Sequence, residues 1–172
     1  GGGEEVPSSW GEVGGRQSHD ASLVKAGEWR EFPLLGAGGP IPENCARCPR
    51  TADVLLQIPE ILAMSQTGMG ETLFSVIAPG THLRPHCGST NARLTCHLGF
   101  VIPEGCSIRA GSETRTWQEG KCLVFDDSFE HEVRHNGSSP RIVLLINFWH
   151  PDLPKSQWGP LIPKGRYGPA HP

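Results

Sequence analysis

The sequence predicts an all-β fold, an antiparallel sandwich or jelly roll, on three observations. Short apolar runs recur from Thr72 to Trp149, turn residues bound nearly all of them, and one run alternates apolar with polar side chains at a period of two. Short strands at such spacing need tight reversals, so the sheet folds back on itself.

In chain order, strands are expected at Thr72–Ala78, Arg93–Ile102, Ser107–Ala110, Thr114–Trp117, Lys121–Phe125, His131–His135 and Arg141–Trp149. Pro79-Gly80, Pro103-Glu104-Gly105 and Glu119-Gly120 supply turns between them. Ahead of the strands, Glu28–Leu35 and Asp53–Ala63 carry enough Trp, Leu and Ile to pack onto a core. Pro59 restricts any helix in the second segment to short pieces, because proline offers no amide donor inside a helix. Residues 1–27 are rich in Gly, Ser and Glu without apolar periodicity, a composition expected to stay disordered. One domain over 28–153 and an irregular Pro- and Gly-rich tail over 154–172 complete the expected organisation.

The alternating run is Arg93–Ile102. Leu94, Cys96, Leu98, Phe100 and Ile102 fall on one face, expected to be core, and Arg93, Thr95 and His97 fall on the other. A row of Arg, Thr and His is either the wall of a polar ligand cavity or the solvent side of an antiparallel sheet.

The order of the remaining polar residues points to chemistry. His86 comes early, His131 late, and Arg141 follows on the last apolar strand. A mononuclear ferrous site that must hold a 2-oxo acid and admit dioxygen uses few protein ligands, commonly two His and a carboxylate. The dianionic cosubstrate then needs a cation at its far end, and a guanidinium grips a carboxylate through two parallel hydrogen bonds. Arg141 suits that post, or else it is a surface Arg following the turn Gly137-Ser138-Ser139-Pro140.

Composition narrows the partners. The chain has 172 residues, 37% of them apolar, with 22 Gly and 16 Pro, enough for one core. A net charge of −3 without a basic block argues against nucleic acid, since phosphate binding rests on clustered Lys and Arg. The longest apolar run, Ile142–Ile146, is broken by Asn147 and falls far short of the roughly 20 residues that span a bilayer. The chain opens on Gly1-Gly2-Gly3 without Met or an apolar leader, as expected of a fragment or processed form. The cysteines, Cys45, Cys48, Cys87, Cys96, Cys106 and Cys122, are compatible with an oxidising compartment, and the C-x-x-C at Cys45–Cys48 lacks the second pair of a zinc ribbon. Asn136-Gly137-Ser138 is a glycosylation sequon, usable if the chain enters the secretory pathway.

Several blocks together resemble the aspartyl/asparaginyl β-hydroxylase family: Pro79-Gly80-Thr81-His82, Pro85-His86-Cys87-Gly88-Ser89-Thr90-Asn91, His97-Leu98-Gly99-Phe100-Val101-Ile102-Pro103, Phe125 through Val133, and Trp149-His150-Pro151. The resemblance covers about residues 28–153. It implies a double-stranded β-helix of the cupin-like jelly-roll kind with short N-terminal helical pieces. It also implies an iron(II)- and 2-oxoglutarate-dependent dioxygenase that uses O2 to hydroxylate the β-carbon of Asp or Asn in a protein substrate. By the same resemblance His86 and His131 hold the metal. Gly88 stands where the wider class of oxygenases has the carboxylate ligand, and Asp127 supports the site from behind, unless Asp126 or Asp127 caps a turn. Ser75 and Arg141 are matched to the distal carboxylate of the cosubstrate, His97 to its iron-proximal end, Trp29 and Thr95 to the same cosubstrate pocket, and Arg93 to the substrate. Read without the family, His97 is an interior histidine and Ser75 a small structural residue.

Departures qualify the carry-over. The member acting on epidermal growth factor-like domains has Arg where this chain has Thr95 and Trp where it has Arg84, and its loop-closing Cys pair is not reproduced. The substrate therefore stays open. A non-catalytic or zinc-occupied jelly-roll module derived from the hydroxylases is the alternative, since two His alone do not select iron over zinc. Relatives are anchored by a membrane segment with the catalytic part outside the cytosol, so the parent protein is expected to be single-pass and luminal or extracellular, though this piece does not span.

Overall fold

Two antiparallel sheets face each other across the interior. A computed structural model of the chain describes residues 11–12 and 23–161. The larger sheet runs β1 (Gly11–Glu12), β3 (Trp29–Gly36), β5 (Thr72–Ile77), β12 (Arg141–Trp149), β7 (Arg93–Val101), β10 (Cys122–Phe125), with β4 (Gly39–Pro40) paired to β3. The smaller runs β2 (Val24–Ala26), β6 (His82–His86), β11 (His131–His135), β8 (Cys106–Ala110), β9 (Glu113–Arg115). This is the jelly roll the sequence predicts, with seven strands in one sheet and five in the other.

Three helices, α1 (Pro42–Arg47), α2 (Pro49–Leu56) and α3 (Pro59–Thr67), pack outside the larger sheet, and α3 lies against β12. Each opens on a proline, whose fixed φ suits the first turn and whose missing amide is not needed there. Pro59 thus starts a helix rather than interrupting one. A short 3-10 turn (Lys155–Gln157) and α4 (Trp158–Leu161) follow β12.

The core divides accordingly. Ile77, Leu83, Ile108, Trp117, Val133 and Val143 fill the space between the sheets, while Phe32, Leu34, Leu35, Leu55, Ile61 and Leu144 fill the layer between the larger sheet and the helices. Burial of this second layer also settles the alternating strand. Leu98 of β7 packs into the helix-side cluster, whereas Thr95 and His97 are buried inside the barrel. The polar row is a cavity wall and not a solvent face. Phe100, expected in the core, is 46% exposed, because β7 runs past the helices that cover its middle.

Other differences have physical causes. β3 and β6 carry no alternation that separates them from loops: β3 holds Pro33 and β6 is largely polar, yet both pair along their length. The strand expected at Thr114–Trp117 is shorter, ending at Arg115, because Trp117 turns into the core. β1 and β2 fall within the stretch expected to be disordered, and β2 pairs β6. The rest of residues 1–22, and residues 162–172 of the expected tail, lie outside the described residues. Among the described residues no helix is long and apolar enough to cross a membrane.

Candidate active site

His86 ends β6 and His131 begins β11, and the two are direct partners across the antiparallel pair. Partners on one pair share a face, so both rings turn inward, with centroids 4.2 Å apart. His86 Nδ1 donates to the Arg84 carbonyl at 2.7 Å, and His131 Nδ1 donates to the Phe129 carbonyl at 3.0 Å. A carbonyl only accepts, so each Nδ1 carries a proton, and in the neutral ring each Nε2 keeps its lone pair. That is the tautomer and the restraint a metal-binding histidine requires. Burial, with the neighbouring His86 adding to it, holds the His131 pKa below the ordinary imidazole value, which favours the neutral ring.

Beside the pair lies a carboxylate. Asp127 accepts from Arg93 Nε at 3.1 Å and Nη2 at 2.7 Å, both on Oδ2, and its buried Oδ1 has no hydrogen-bond partner. Gly88 makes this placement possible: a Cβ there would stand 2.6 Å from Asp127 Cγ. The Gly88 amide also donates to the Asp127 carbonyl at 2.6 Å. The position that seemed to lack a carboxylate is therefore filled, in space, by a carboxylate from the β10–β11 loop. Asp126, not Asp127, is the turn cap, since its Oδ1 accepts the Ser128 amide at 2.9 Å.

The cavity floor is cationic. Arg141 is 2% exposed, and its Nε and Nη1 have no hydrogen-bond partner. Its guanidinium lies 4.8 Å from the Trp117 ring centroid, and burial pulls its pKa down to about 10, still charged at neutral pH. Unpaired buried donors are costly, and such groups signal an unrecorded partner. His97 adds another: Trp117 Nε1 donates to His97 Nδ1 at 3.1 Å, so in the neutral ring the proton sits on Nε2, which is buried and unpartnered. Burial first, then Arg141 and His131, push the His97 pKa well below the ordinary value, so the ring is neutral. Ser75 accepts from Trp29 Nε1 at 2.9 Å and so keeps its hydroxyl proton to donate.

All nine residues singled out in the sequence, Trp29, Ser75, His86, Arg93, Thr95, His97, Asp127, His131 and Arg141, line one cavity of about 350 Å³. Two of them are tied up. Arg93, expected to meet the substrate, is held by Asp127 and the Met69 carbonyl, and Thr95 accepts from Asn147 Nδ2 at 2.9 Å. Sequence reasoning missed Trp117, Phe125 and Asn147. Phe125 packs edge-on against both His97 and His131, at 5.2 and 5.3 Å. Only its inward register on β10, opposite Thr95, marks it. A wider groove of about 670 Å³ between β9 and β10 shares Ile108 and Phe125 with the cavity. Cys45 and Cys48 lie in the helical layer away from it, and Asn136 of the sequon is exposed in its turn. Among the described residues no cluster of three or more His, Cys, Asp or Glu gathers at metal-binding spacing, so the donor set there is the histidine pair.

Fold and cavity together define a jelly-roll protein with a two-histidine site above a buried cation. The chain belongs to the aspartyl/asparaginyl β-hydroxylase family, whose description it matches over residues 4–151. It is 45% identical over 139 residues to the human aspartyl/asparaginyl β-hydroxylase, covering 80% of this chain and 18% of that protein. It is 46% identical over 123 residues to human aspartate β-hydroxylase domain-containing protein 1, covering 70% and 31%, and 40% identical over 140 residues to human domain-containing protein 2, covering 80% and 37%. The chain thus spans less than half the length of these relatives. Among solved structures it is similar to a predicted oxalate decarboxylase from Thermotoga maritima, with a TM-score of 0.46 and 10% identity over 73% of this chain and 84% of that one.

Proposed function

We propose that this chain is the catalytic part of an iron(II)- and 2-oxoglutarate-dependent dioxygenase that hydroxylates the β-carbon of Asp or Asn in a protein substrate. One observation carries the reading: two histidines with restrained Nε2 atoms share a cavity with a buried guanidinium whose Nε and Nη1 have no hydrogen-bond partner. His86 and His131 would hold the metal, and ferrous iron there supplies the activation of dioxygen.

The remaining steps belong to the chain. Arg141 Nε and Nη1 donate to the distal carboxylate of the diacid, and the Ser75 hydroxyl adds a neutral donor beside them. His97 donates from Nε2 to the end nearer the metal, a role that needs the neutral ring which burial enforces. The diacid also removes the cost of leaving Arg141 unpaired, so its binding is coupled to relief of an existing strain in hydration. Asp127, fixed by Arg93 through Oδ2, keeps its buried Oδ1 free and would accept a hydrogen bond from a water beside the histidine pair. Phe125 and Trp29 line the cavity with apolar ring surface, which disfavours bulk water beside the bound substrate. The groove between β9 and β10 gives room for the polypeptide flanking the reacting residue.

The longer protein, by the family resemblance, is membrane-anchored with this part luminal or extracellular. The test of the function is oxygen-dependent succinate formation from 2-oxoglutarate by the iron-loaded chain, with hydroxylated Asp or Asn sought by mass spectrometry in candidate peptides. Succinate that forms equally with His131→Ala overturns the reading.

A further inference from the structure

The cysteines separate into different settings. Cys106 is buried with Sγ 2.9 Å from His135 Nδ1, Cys45 faces the Leu34 carbonyl, and Cys87 stands exposed next to His86. Cys96 and Cys122 differ from these, because two strands bring them together. In the β7–β10 register Cys122 lies opposite Leu98 and Val124 opposite Cys96, so the two cysteines are diagonal neighbours on one face, the outer face of the larger sheet. Burial first, and then the neighbouring Cys122 thiol, push the Cys96 thiol up to about 12. Cys122 is exposed and Cys96 buried, which gives one entry point and one resolving partner.

The setting lets the sulfurs close. A disulfide needs an S–S distance of about 2.05 Å and a Cα separation under roughly 7 Å, whereas diagonal neighbours on an antiparallel pair stand about 7–8 Å apart, so closing the bond requires β10 to draw toward β7. β10 is the last strand of its sheet and pairs on one side only, through four residue pairs with β7, so it is the element able to shift. The face opposite these cysteines is the cavity. Thr95 and His97 flank Cys96 in sequence and point inward, and Phe125 of β10 contacts both His97 and His131.

We propose that Cys96 and Cys122 form a reversible cross-strand disulfide that clamps edge strand β10 to β7 and holds Phe125 against the histidine cavity. The oxidant is a small-molecule disulfide of the glutathione type. The Cys122 sulfur, on losing its proton to solvent, attacks one sulfur of the reagent and expels the other as a thiol. The Cys96 sulfur, losing its proton in turn, then attacks the Cys122 sulfur of the mixed disulfide and expels the second reagent thiol. Two protein thiols lose two electrons and the reagent disulfide gains them.

The whole chain is equilibrated in reduced and oxidised glutathione at mildly alkaline pH, free thiols are alkylated, and a non-reducing digest is read by mass spectrometry. The expected product links the peptide holding Cys96 to the peptide holding Cys122, and added thiol reductant reverses it. Hydrogen exchange of the same samples should slow by about tenfold at residues 123–125 in the oxidised form. Cys96→Ser should leave Cys122 as a stable mixed disulfide with unchanged exchange, which also reports that the variant folds. Three results overturn the proposal: wild-type Cys122 recovered only as the glutathione adduct, Cys122 linked to Cys87 or to another molecule, or a linked product with no change in exchange on β10.

Discussion

The Asp127 carboxylate occupies the space that a side chain at position 88 would fill, with Cγ 2.6 Å from where the Gly88 Cβ would be. Gly88→Ala therefore displaces the carboxylate, not merely the local loop. Overpacking should cost roughly 1–3 kcal/mol of stability. Loss of the oriented carboxylate should weaken manganese(II) binding by about 10–100-fold, read by anaerobic titration calorimetry. The discriminating measurement is the cycle with Asp127→Ala. Once the carboxylate is gone, adding Gly88→Ala should change metal affinity by less than about twofold, since the pair acts through one contact. Full additivity would show that Gly88 acts through something else.

Arg141 predicts opposite signs for stability and for binding. It is a buried cation whose Nε and Nη1 find no hydrogen-bond partner, so Arg141→Met removes a charge that the Trp117 face offsets only in part and should leave the cosubstrate-free protein equally or more stable. The same change removes the grip on the distal carboxylate, and 2-oxoglutarate affinity should fall by roughly 2–5 kcal/mol. Thermal melts with and without the diacid check both at once. A variant that loses stability without the diacid would mean that contacts within the protein, the Trp117 face among them, outweigh the cost of burying the charge.

Trp117 acts on the cosubstrate through His97. Its Nε1–H donates to His97 Nδ1 and so fixes the proton on Nε2. Trp117→Phe keeps an aromatic face under Arg141 but lets the ring take either tautomer. Affinity for 2-oxoglutarate should drop about tenfold, one ordinary hydrogen bond's worth, while metal affinity stays near the wild-type value. The nitrogen-15 shifts of the His97 ring read the tautomer directly, and shifts unchanged by the substitution would sink the assignment.

These residues also show what the sequence reveals and what it withholds. Thr95 and His97 were legible because a strand's period of two separates its faces without any knowledge of the fold. His86, His131 and Arg141 were legible as an order, but their convergence depends on β6 pairing β11 and on β12 crossing to the middle of the other sheet, contacts far apart in the chain. Trp117 was legible only as the end of an expected strand, and its place in the site was not. It sits on no strand, and an aromatic beside a turn has no local signal of burial until two sheets close over it. Gly88 read as an absence, since only a third dimension shows another residue standing in its place.

Glu132 sets the acid edge of stability. It projects from β11, where Arg109, then His82 and Arg134, hold its carboxylate down to about 2 from an ordinary 4.5. The depressed value fixes the sign: the folded state binds fewer protons than the unfolded one, so the contribution is complete above about pH 4.5 and is lost as pH falls through about 2. The melting temperature of the wild type should decline across that window. Glu132→Gln keeps the shape and some hydrogen bonds but cannot titrate, so its melting curve should fall less steeply there and start lower at neutral pH. The gap at neutral pH should be modest, because the arginines are partly exposed and solvent screens them, and it should narrow further in high salt. Parallel pH profiles for the two proteins would mean that the carboxylate is not held by these cations in solution.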